Sequence, residues 1–177
     1  MVTGIDVDAE SAQQAAENAA ASPWPERLLM LHGPVQDYAE AHPASFDCII
    51  SNPPFFSNSL QSPRHARTHA KHTVDLSWDE LMMAAARLLM PGGMAWFILP
   101  AAEGSTVLKV ANGAGFSQIS GIEIIPREGK PSHRWVLQFT KGVGVTSRNT
   151  QLVIRDHHGE YTEAYRKACD GLYLSLA

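Results

Sequence analysis

The sequence is poor in features that define several common classes of protein. It has 2 cysteines among 177 residues, and the spacing of Cys48 and Cys169 fits neither a zinc site nor a disulfide framework. No apolar run approaches the roughly 18 residues that span a membrane, and the N-terminus has no basic segment followed by a signal core. These absences predict a cytoplasmic protein with reduced thiols.

Positive charge is also scarce. The chain has 14 lysines and arginines against 18 aspartates and glutamates, a net charge of −4. A globally basic nucleic-acid-binding protein is therefore excluded, and any contact with nucleic acid must come from local patches. Hydrophobic residues make up 45% and charged residues 18%, which is typical of a folded globular protein. The length predicts one domain, residues 1–177, with a substantial core.

Apolar segments of strand length alternate with helical patterns along the chain. The predicted strands are residues 3–7, 27–33, 46–51, 94–100, 117–126 and 134–140. The predicted helices are residues 8–22, 35–42, 77–90, 105–112 and 161–176. Asp8 is expected to cap the first helix, Ser77 and Glu80 to form a capping box, and 91–93 (Pro-Gly-Gly) to end that third helix. The alternation predicts an α/β, Rossmann-like fold, a mostly parallel sheet whose short last connection gives a C-terminal antiparallel hairpin.

The segment SNPPFF, residues 51–56, carries a specific chemical signal. The exocyclic amine of a nucleobase is a poor nucleophile because its lone pair is conjugated into the ring, and two acceptors that bind both N–H groups favour the geometry of attack. Asn52 offers an amide oxygen, whereas Pro53 and Pro54 donate no N–H and leave backbone carbonyls free. Phe55 offers a face for stacking a base pulled out of its helix or loop. These residues are predicted to hold a nucleobase amine.

An acidic residue lies at the end of the first predicted strand. The carboxylate of Asp6 can hold both hydroxyls of a ribose through charge-assisted hydrogen bonds. In sheets of this kind ligands bind beyond the carboxyl ends of the strands, where Asp6 and Asn52 are both predicted to lie.

Two basic patches lie in predicted loops. Their basic residues are Arg64, Arg67 and Lys71 in the first, and Arg127, Lys130, His133 and Arg134 in the second, weaker patch. Both patches suit RNA phosphates, and a solvated charged loop is the alternative. Three histidines, His65, His69 and His72, match metal-ligand spacing on a helix. Without a nearby carboxylate or cysteine, we predict no metal site there.

Three segments together resemble one known family. SNPPFF, DVDAESAQQAAENAAASPWPERL and LVIRDHHGEYTEAYRKACDGLYL resemble the bacterial tRNA(Val) adenine-N6 methyltransferases, over essentially the whole chain. The resemblance implies a class I methyltransferase fold, S-adenosylmethionine as the cofactor, and methylation of N6 of an adenine in tRNA. It implies that Asn52 and Pro53 bind the amine and that Phe55 stacks on the adenine. The implied cofactor-binding residues are Asp6, Val7, Pro34, Val35 and Asn52.

The chain also departs from that family. It contains no Gly-x-Gly-x-Gly pattern, and the family's first strand and its Gly-rich loop have no counterpart here. The family's acidic residue after the third strand aligns with Pro34, with Asp37 nearby. A missing first strand predicts either direct pairing of residues 3–7 with 46–51 or a homodimer that shields the exposed edges. A chain that binds RNA or a partner without catalysis is the second interpretation, and an amino group of rRNA or of a protein glutamine is an alternative acceptor.

Overall fold

A computed structural model of the protein describes residues 1–53, 76–142 and 147–172. The chain divides into two compact units. The first consists of Met1–Ser45 and Phe56–Leu88, and the second of Phe46–Phe55 and Leu89–Ala177. The expectation of a single domain stays a prediction.

The first unit contains a two-stranded parallel sheet. Its elements are β1 (Val2–Asp6), α1 (Ala9–Ala20), β2 (Leu28–His32), α2 (Val35–Ala41) and α3 (Trp78–Leu88). Helix α1 connects the two strands and packs on both, with Ala12 and Ala19 buried. Asp8 caps α1 by accepting a hydrogen bond from the Ser11 N–H at 2.8 Å, as predicted.

Helix α3 begins with the predicted capping box and packs on α2. The Ser77 N–H and hydroxyl both donate to Glu80 Oε2, at 2.8 and 2.7 Å, and the Glu80 N–H donates to Ser77 Oγ at 3.2 Å. The helix ends at Leu88, two residues earlier than predicted. The carbonyls of Arg87 and Leu88 accept backbone N–H groups at 2.8 Å from the segment before β3, which closes the helix there.

The second unit contains a five-stranded mixed sheet. Its elements are β3 (Phe46–Ser51), β4 (Leu89–Pro100), α4 (Gly104–Gly113), β5 (Phe116–Arg127), β6 (Arg134–Lys141), β7 (Arg148–Arg155) and α5 (Glu163–Ala168). The strand order is β3-β4-β6-β5-β7. The pairs β3–β4 and β5–β7 are parallel, and β6 is antiparallel to both of its neighbours. The predicted antiparallel hairpin is therefore formed by β5 and β6.

The core of the second unit is built on one face of β4. Gly93, Ala95, Phe97 and Leu99 are buried at every second position, as the two-residue period of a strand requires. The ring of Phe97 packs 6.1 Å from that of Phe139 on β6, between ring centroids. This buried layer fixes the register of β4, since a shift by one residue would turn these side chains to the other face.

One predicted strand pairing is wrong, and β3 exposes part of its apolar surface. In β3, Cys48 is exposed and Ile50 is 80% exposed. β3 is also an edge strand, with β4 as its neighbour in the sheet order. β1 pairs in parallel with β2 in the two-stranded sheet of the first unit. The expected direct pairing of residues 3–7 with 46–51 is therefore not the pairing that forms.

The C-terminal helix is shorter than predicted. Helix α5 begins after its cap, Thr162, whose hydroxyl accepts the Tyr165 N–H at 3.2 Å, and it ends at Ala168. A turn follows, in which Gly171 takes a φ of 75° that favours glycine. Across the part of the chain that the structure describes, no helix is both long enough and apolar enough to cross a membrane.

Candidate functional site

The carboxyl end of β1 carries an acidic residue. Asp6 is the last residue of β1, stands opposite His32 in the parallel register, and is exposed. Its carbonyl accepts the Gly33 N–H at 2.9 Å, and its Oδ1 accepts the Asp8 N–H at 2.8 Å. These bonds orient the carboxylate. The second oxygen, Oδ2, has no hydrogen bond to any of the described residues, so it can accept one from a hydroxyl of a ligand.

The other predicted cofactor residues of the first unit lie at the same edge. Val7 follows Asp6 and is 46% exposed. Pro34 is the N-cap residue of α2 and Val35 its first residue, directly after the turn that follows β2. Parallel pairing of β1 and β2 thus brings Asp6, Val7, Pro34 and Val35 together. Pro34 offers no side-chain acceptor, and its side chain makes no capping hydrogen bond.

The carboxyl end of β3 carries the predicted amine-binding residues. Ser51 is the last residue of β3 and stands opposite the buried Phe97. Asn52 follows it and is exposed, whereas Pro53 is buried. Among the described residues, none hydrogen-bonds the side-chain amide of Asn52. The strand pairing on one side and the buried proline ring on the other fix the backbone around an amide that is open to a ligand. Pro54 and Phe55 lie outside the described residues.

Part of the second basic patch lies at the same edge of the five-stranded sheet. β4 runs parallel to β3, and Arg134 at the start of β6 stands opposite Pro100 at the end of β4. Lys130 is exposed in the turn that joins β5 to β6. The His133 N–H donates to the Ile124 carbonyl at 3.1 Å, which ties this turn to β5. The structure therefore brings Lys130 and Arg134 to the edge that carries Asn52. Arg64, Arg67 and Lys71 lie outside the described residues.

One basic residue at this edge was missed from the sequence. Arg155 ends β7 and is the register partner of Arg127, which ends β5. The Arg155 guanidinium carbon lies 4.0 Å from the centre of the Tyr161 ring. In the sequence, Arg155 is visible only as a basic residue at the end of an apolar run, residues 151–155. Its partner Arg127 is 28 residues earlier in the chain, so the pairing of the two arginines cannot be recognised from a local pattern.

Asp156 follows Arg155 at this edge and bonds within its own turn. Burial would raise the pKa of Asp156, but hydrogen bonds from the backbone N–H groups of Glu160, His158 and Gly159 more than offset that effect and lower its pKa. Asp156 is therefore ionised at neutral pH and belongs to its own turn.

Within the described ranges, no group of three or more histidines, cysteines, aspartates and glutamates could hold a metal ion. The three histidines of the first patch are outside those ranges.

Sequence comparisons with known proteins indicate one family, and a structural comparison indicates the fold. The sequence profile of the methyltransferase small domain family matches residues 1–114. A tRNA1(Val) (adenine(37)-N6)-methyltransferase from Vibrio vulnificus (strain CMCP6) is 35% identical over 175 residues, 99% of this chain and 72% of that protein. Its namesake from Yersinia pestis (strain Pestoides F) is 31% identical over 174 residues, 98% of this chain and 70% of that protein. A predicted O-methyltransferase from Agrobacterium tumefaciens has a similar fold, with a TM-score of 0.68 at 19% identity over 92% of this chain and 73% of that one.

The chain shares its fold with solved class I methyltransferases. Asp6 lies at the carboxyl end of a strand in the first unit, and Asn52 follows a strand in the second unit. The predicted Rossmann-like fold class is thereby confirmed. The chain belongs to the family of tRNA1(Val) (adenine(37)-N6)-methyltransferases, as its resemblance to that family implied.

Proposed function

We propose that this protein is an S-adenosylmethionine-dependent methyltransferase that modifies the N6 amino group of an adenine in tRNA. The observation that carries this function is the exposed amide of Asn52, fixed at the end of β3 by the buried Pro53 in a member of this family. The substrate class comes from the names of the relatives, which act on an adenine of tRNA1(Val).

Asn52 and Pro53 supply the two acceptors that the amine needs. Asn52 Oδ1 accepts one N–H of the adenine amine, and the backbone carbonyl of Pro53 accepts the other. These bonds favour the pyramidal nitrogen that exists in the transition state more than in the planar ground state, so they lower the barrier rather than only tightening binding. No general base is needed on the chain, because the proton leaves readily once the nitrogen is alkylated. Pro54 and Phe55 are proposed to complete the site, Phe55 by stacking on the base.

The first unit fits the ribose part of the cofactor. The free Oδ2 of Asp6 is an anionic acceptor at the carboxyl end of a parallel strand, where charge-assisted bonds to ribose hydroxyls are favourable. Val7, Pro34 and Val35 lie along the same edge and offer apolar contact. When bound, S-adenosylmethionine supplies an electrophilic methyl group on its sulfonium.

Basic residues are proposed to bind the RNA backbone. Lys130 and Arg134 lie at the sheet edge that carries Asn52, and Arg64, Arg67 and Lys71 form the other predicted patch. Since the net charge is −4, attraction to RNA must be local. The proposed location of the protein is the cytoplasm, where its substrate is found. We also propose that the chain acts as one methyltransferase domain and associates as a homodimer.

The decisive experiment is in vitro methylation of an unmodified tRNA transcript, followed by mass spectrometry of its nucleosides. We expect N6-methyladenine, and its absence from a reaction with folded protein would contradict the proposed function. Parallel reactions with rRNA and with a glutamine peptide test the alternative acceptors.

Asp6→Asn should weaken S-adenosylmethionine binding by about tenfold or more, because a hydrogen bond to a charged acceptor contributes about 1.5–3 kcal/mol.

A non-catalytic RNA-binding protein is the second candidate. It is favoured by Pro34, which offers no side-chain acceptor at the start of α2. Calorimetric titration with S-adenosylmethionine separates the two functions. Micromolar binding supports the enzyme, whereas tRNA binding without any cofactor binding supports the second candidate.

A further inference from the structure

The ends of β5 and β7 place two arginines side by side at one edge of the five-stranded sheet. Arg127 and Arg155 are the last residues of their strands and are partners in the parallel register. We propose that these two arginines bind a backbone phosphate of the RNA a few nucleotides from the target base. This role rests on the proposed function and adds Arg155 to the residues that contact the substrate.

Arg155 is held in one orientation by its own turn. Its Nη1 donates a hydrogen bond to the Gly159 carbonyl at 2.5 Å, and its guanidinium lies over the Tyr161 ring. Tyr161 stacks on Tyr165, with ring centroids 5.2 Å apart and planes inclined by 20°. An ordered guanidinium loses little freedom when it binds an anion. Its remaining N–H groups can donate to a phosphate, which arginine binds bidentately.

Arg127 lies beside the same turn, but its side chain takes no part in the hydrogen bonds of that turn. Its side chain is exposed and forms no hydrogen bond or ion pair with another described residue. Its Nη2 is 3.2 Å from the position that a Cβ would take on Gly159, which has a φ of 94°. The missing side chain at Gly159 leaves room for the Arg127 guanidinium. Both guanidinium groups therefore lie next to Gly159.

The carboxylates next to the two arginines in the sequence bond to other groups. The Glu128 carboxylate is 3.1 Å from His157 Nδ1, and Asp156 Oδ1 accepts the backbone N–H groups of His158 and Glu160. In the part of the chain that the structure describes, neither Arg127 nor Arg155 forms an ion pair with a carboxylate. Like charges on adjacent strands repel each other, and a shared anion removes that repulsion.

The position of the two arginines indicates which part of the RNA they reach. β3, β5 and β7 all end at one edge of the sheet, and β7 is four strand spacings from β3 in the order β3-β4-β6-β5-β7. At about 4.8 Å per spacing, Arg155 is about 19 Å across the sheet from the strand that ends before Asn52. That distance is too long for a contact with the reacting nucleotide and suits a phosphate a few nucleotides away.

The test is the salt dependence of tRNA binding by the full chain. The probe is a fluorescently labelled, unmodified tRNA transcript, and the variants are Arg127→Gln, Arg155→Gln and the double variant. Each lost phosphate contact should make the log–log plot of affinity against salt shallower by about 0.7 to 0.9. Arg148→Gln is the matched control, because Arg148 begins β7 at the opposite edge of the sheet and is exposed. Its slope should equal that of the wild type.

Two further comparisons keep the result interpretable. Arg155→Gln removes a stacked side chain and can lower stability, so Arg127→Gln, which breaks no internal bond, decides the matter if Arg155→Gln unfolds. An unchanged slope for folded Arg127→Gln, or an equal loss in Arg148→Gln, overturns the phosphate site. Methylation is measured separately on the wild type. Loss of slope in the variants without any wild-type methylation would support the phosphate site and contradict the proposed function.

Discussion

Asn52 occupies a position where the backbone is held on both sides while the side chain stays open. The ladder of β3 on β4 fixes the residue before it, and the buried ring of Pro53 fixes the residue after it. An acceptor held in this way needs little reorganisation as the amine changes from planar to pyramidal, and preorganised polar groups are the largest contribution in many active sites.

This position gives a direct prediction for Asn52→Ala. The variant should lower kcat for tRNA methylation by about 100-fold or more, since one acceptor of the transition state is lost. Its affinity for S-adenosylmethionine is measured by calorimetry alongside, because Asn52 is also one of the predicted cofactor-binding residues and a loss of kcat at saturating cofactor separates the two roles. Asn112→Ala, an exposed asparagine in the last turn of α4, is the control. Equal kcat values in Asn52→Ala and the wild type would remove Asn52 from the catalytic step.

At the level of single residues, local patterns predicted the positions of Asn52 and Asp6 but did not indicate Arg155. Asn52 and Asp6 were found because each ends an apolar segment, and both do lie at the carboxyl ends of parallel strands. Arg155 was not found, because its importance depends on pairing with Arg127, and sequence periodicity does not report which strands are neighbours.

At the level of elements, the start of helix α3 shows a signal that the sequence predicted fully. The capping box joins residues three apart, so no tertiary information is needed to recognise it. The pKa of Glu80 is lowered below its ordinary value of 4.5, chiefly by the backbone N–H of Ser77 and then by the Ser77 hydroxyl. A carboxylate with a lowered folded-state pKa stabilises the fold above its ordinary pKa, and this contribution is lost as the pH falls through the lowered value.

We therefore predict a pH-dependent effect of Glu80→Gln. Urea unfolding at neutral pH should show the variant to be less stable than the wild type. In acid, below the lowered pKa of Glu80, the difference should shrink as the wild-type side chain becomes protonated. Glu10→Gln, in the first turn of α1, controls for the general effect of a charge near a helix N-terminus. A difference that persists unchanged in acid would show that the capping bonds do not depend on the charge of Glu80.

The segment after α3 shows where the sequence misled. Pro91, Gly92 and Gly93 read as a helix stop, yet the helix ends earlier and these residues lie within β4. The register between β3 and β4 shifts there, from Phe46 opposite Leu89 to Cys48 opposite Met94. The extra residues of β4 form an irregularity that follows from strand pairing, and Gly92 takes a φ of 77° within it.

Gly93→Ala should test the close packing at that irregularity. A Cβ on Gly93 would lie 2.9 Å from the Met90 carbonyl oxygen and 3.2 Å from the Asp47 carbonyl oxygen, and neither backbone group can move freely. We expect a loss of about 1–3 kcal/mol in the free energy of unfolding, measured by urea denaturation. Gly113→Ala is the control, because Gly113 is the last residue of α4 and a Cβ on it would meet nothing within 4 Å. An undiminished stability in Gly93→Ala would mean that β4 adjusts at no cost.

At the level of the whole molecule, the fold class followed from the alternation of strands and helices, but the strand neighbours did not. The sequence was compatible with two arrangements of β1 and β3: direct pairing of the two strands, or a homodimer that shields their edges. β1 pairs with β2 and β3 pairs with β4, and each of these two strands is at the end of its sheet order. Long-range pairing is decided by burial over many residues at once, which a reading of local patterns does not contain.

The remaining alternative is a homodimer that covers exposed apolar surface on an edge strand. Ile50 is 80% exposed on β3, next to the exposed Cys48 on the same face, and edge strands of this kind are templates for pairing with another chain. Size-exclusion chromatography with light scattering at tens of micromolar should therefore give about twice the 19.3 kDa of one chain. Ile50→Lys should shift the population to monomer, because burying a lysine in the contact is costly. Met83→Lys, at a residue on α3 that is 67% exposed, should leave the dimer intact. A wild-type chain that elutes as a strict monomer under these conditions would show that the edge of β3 needs no second copy.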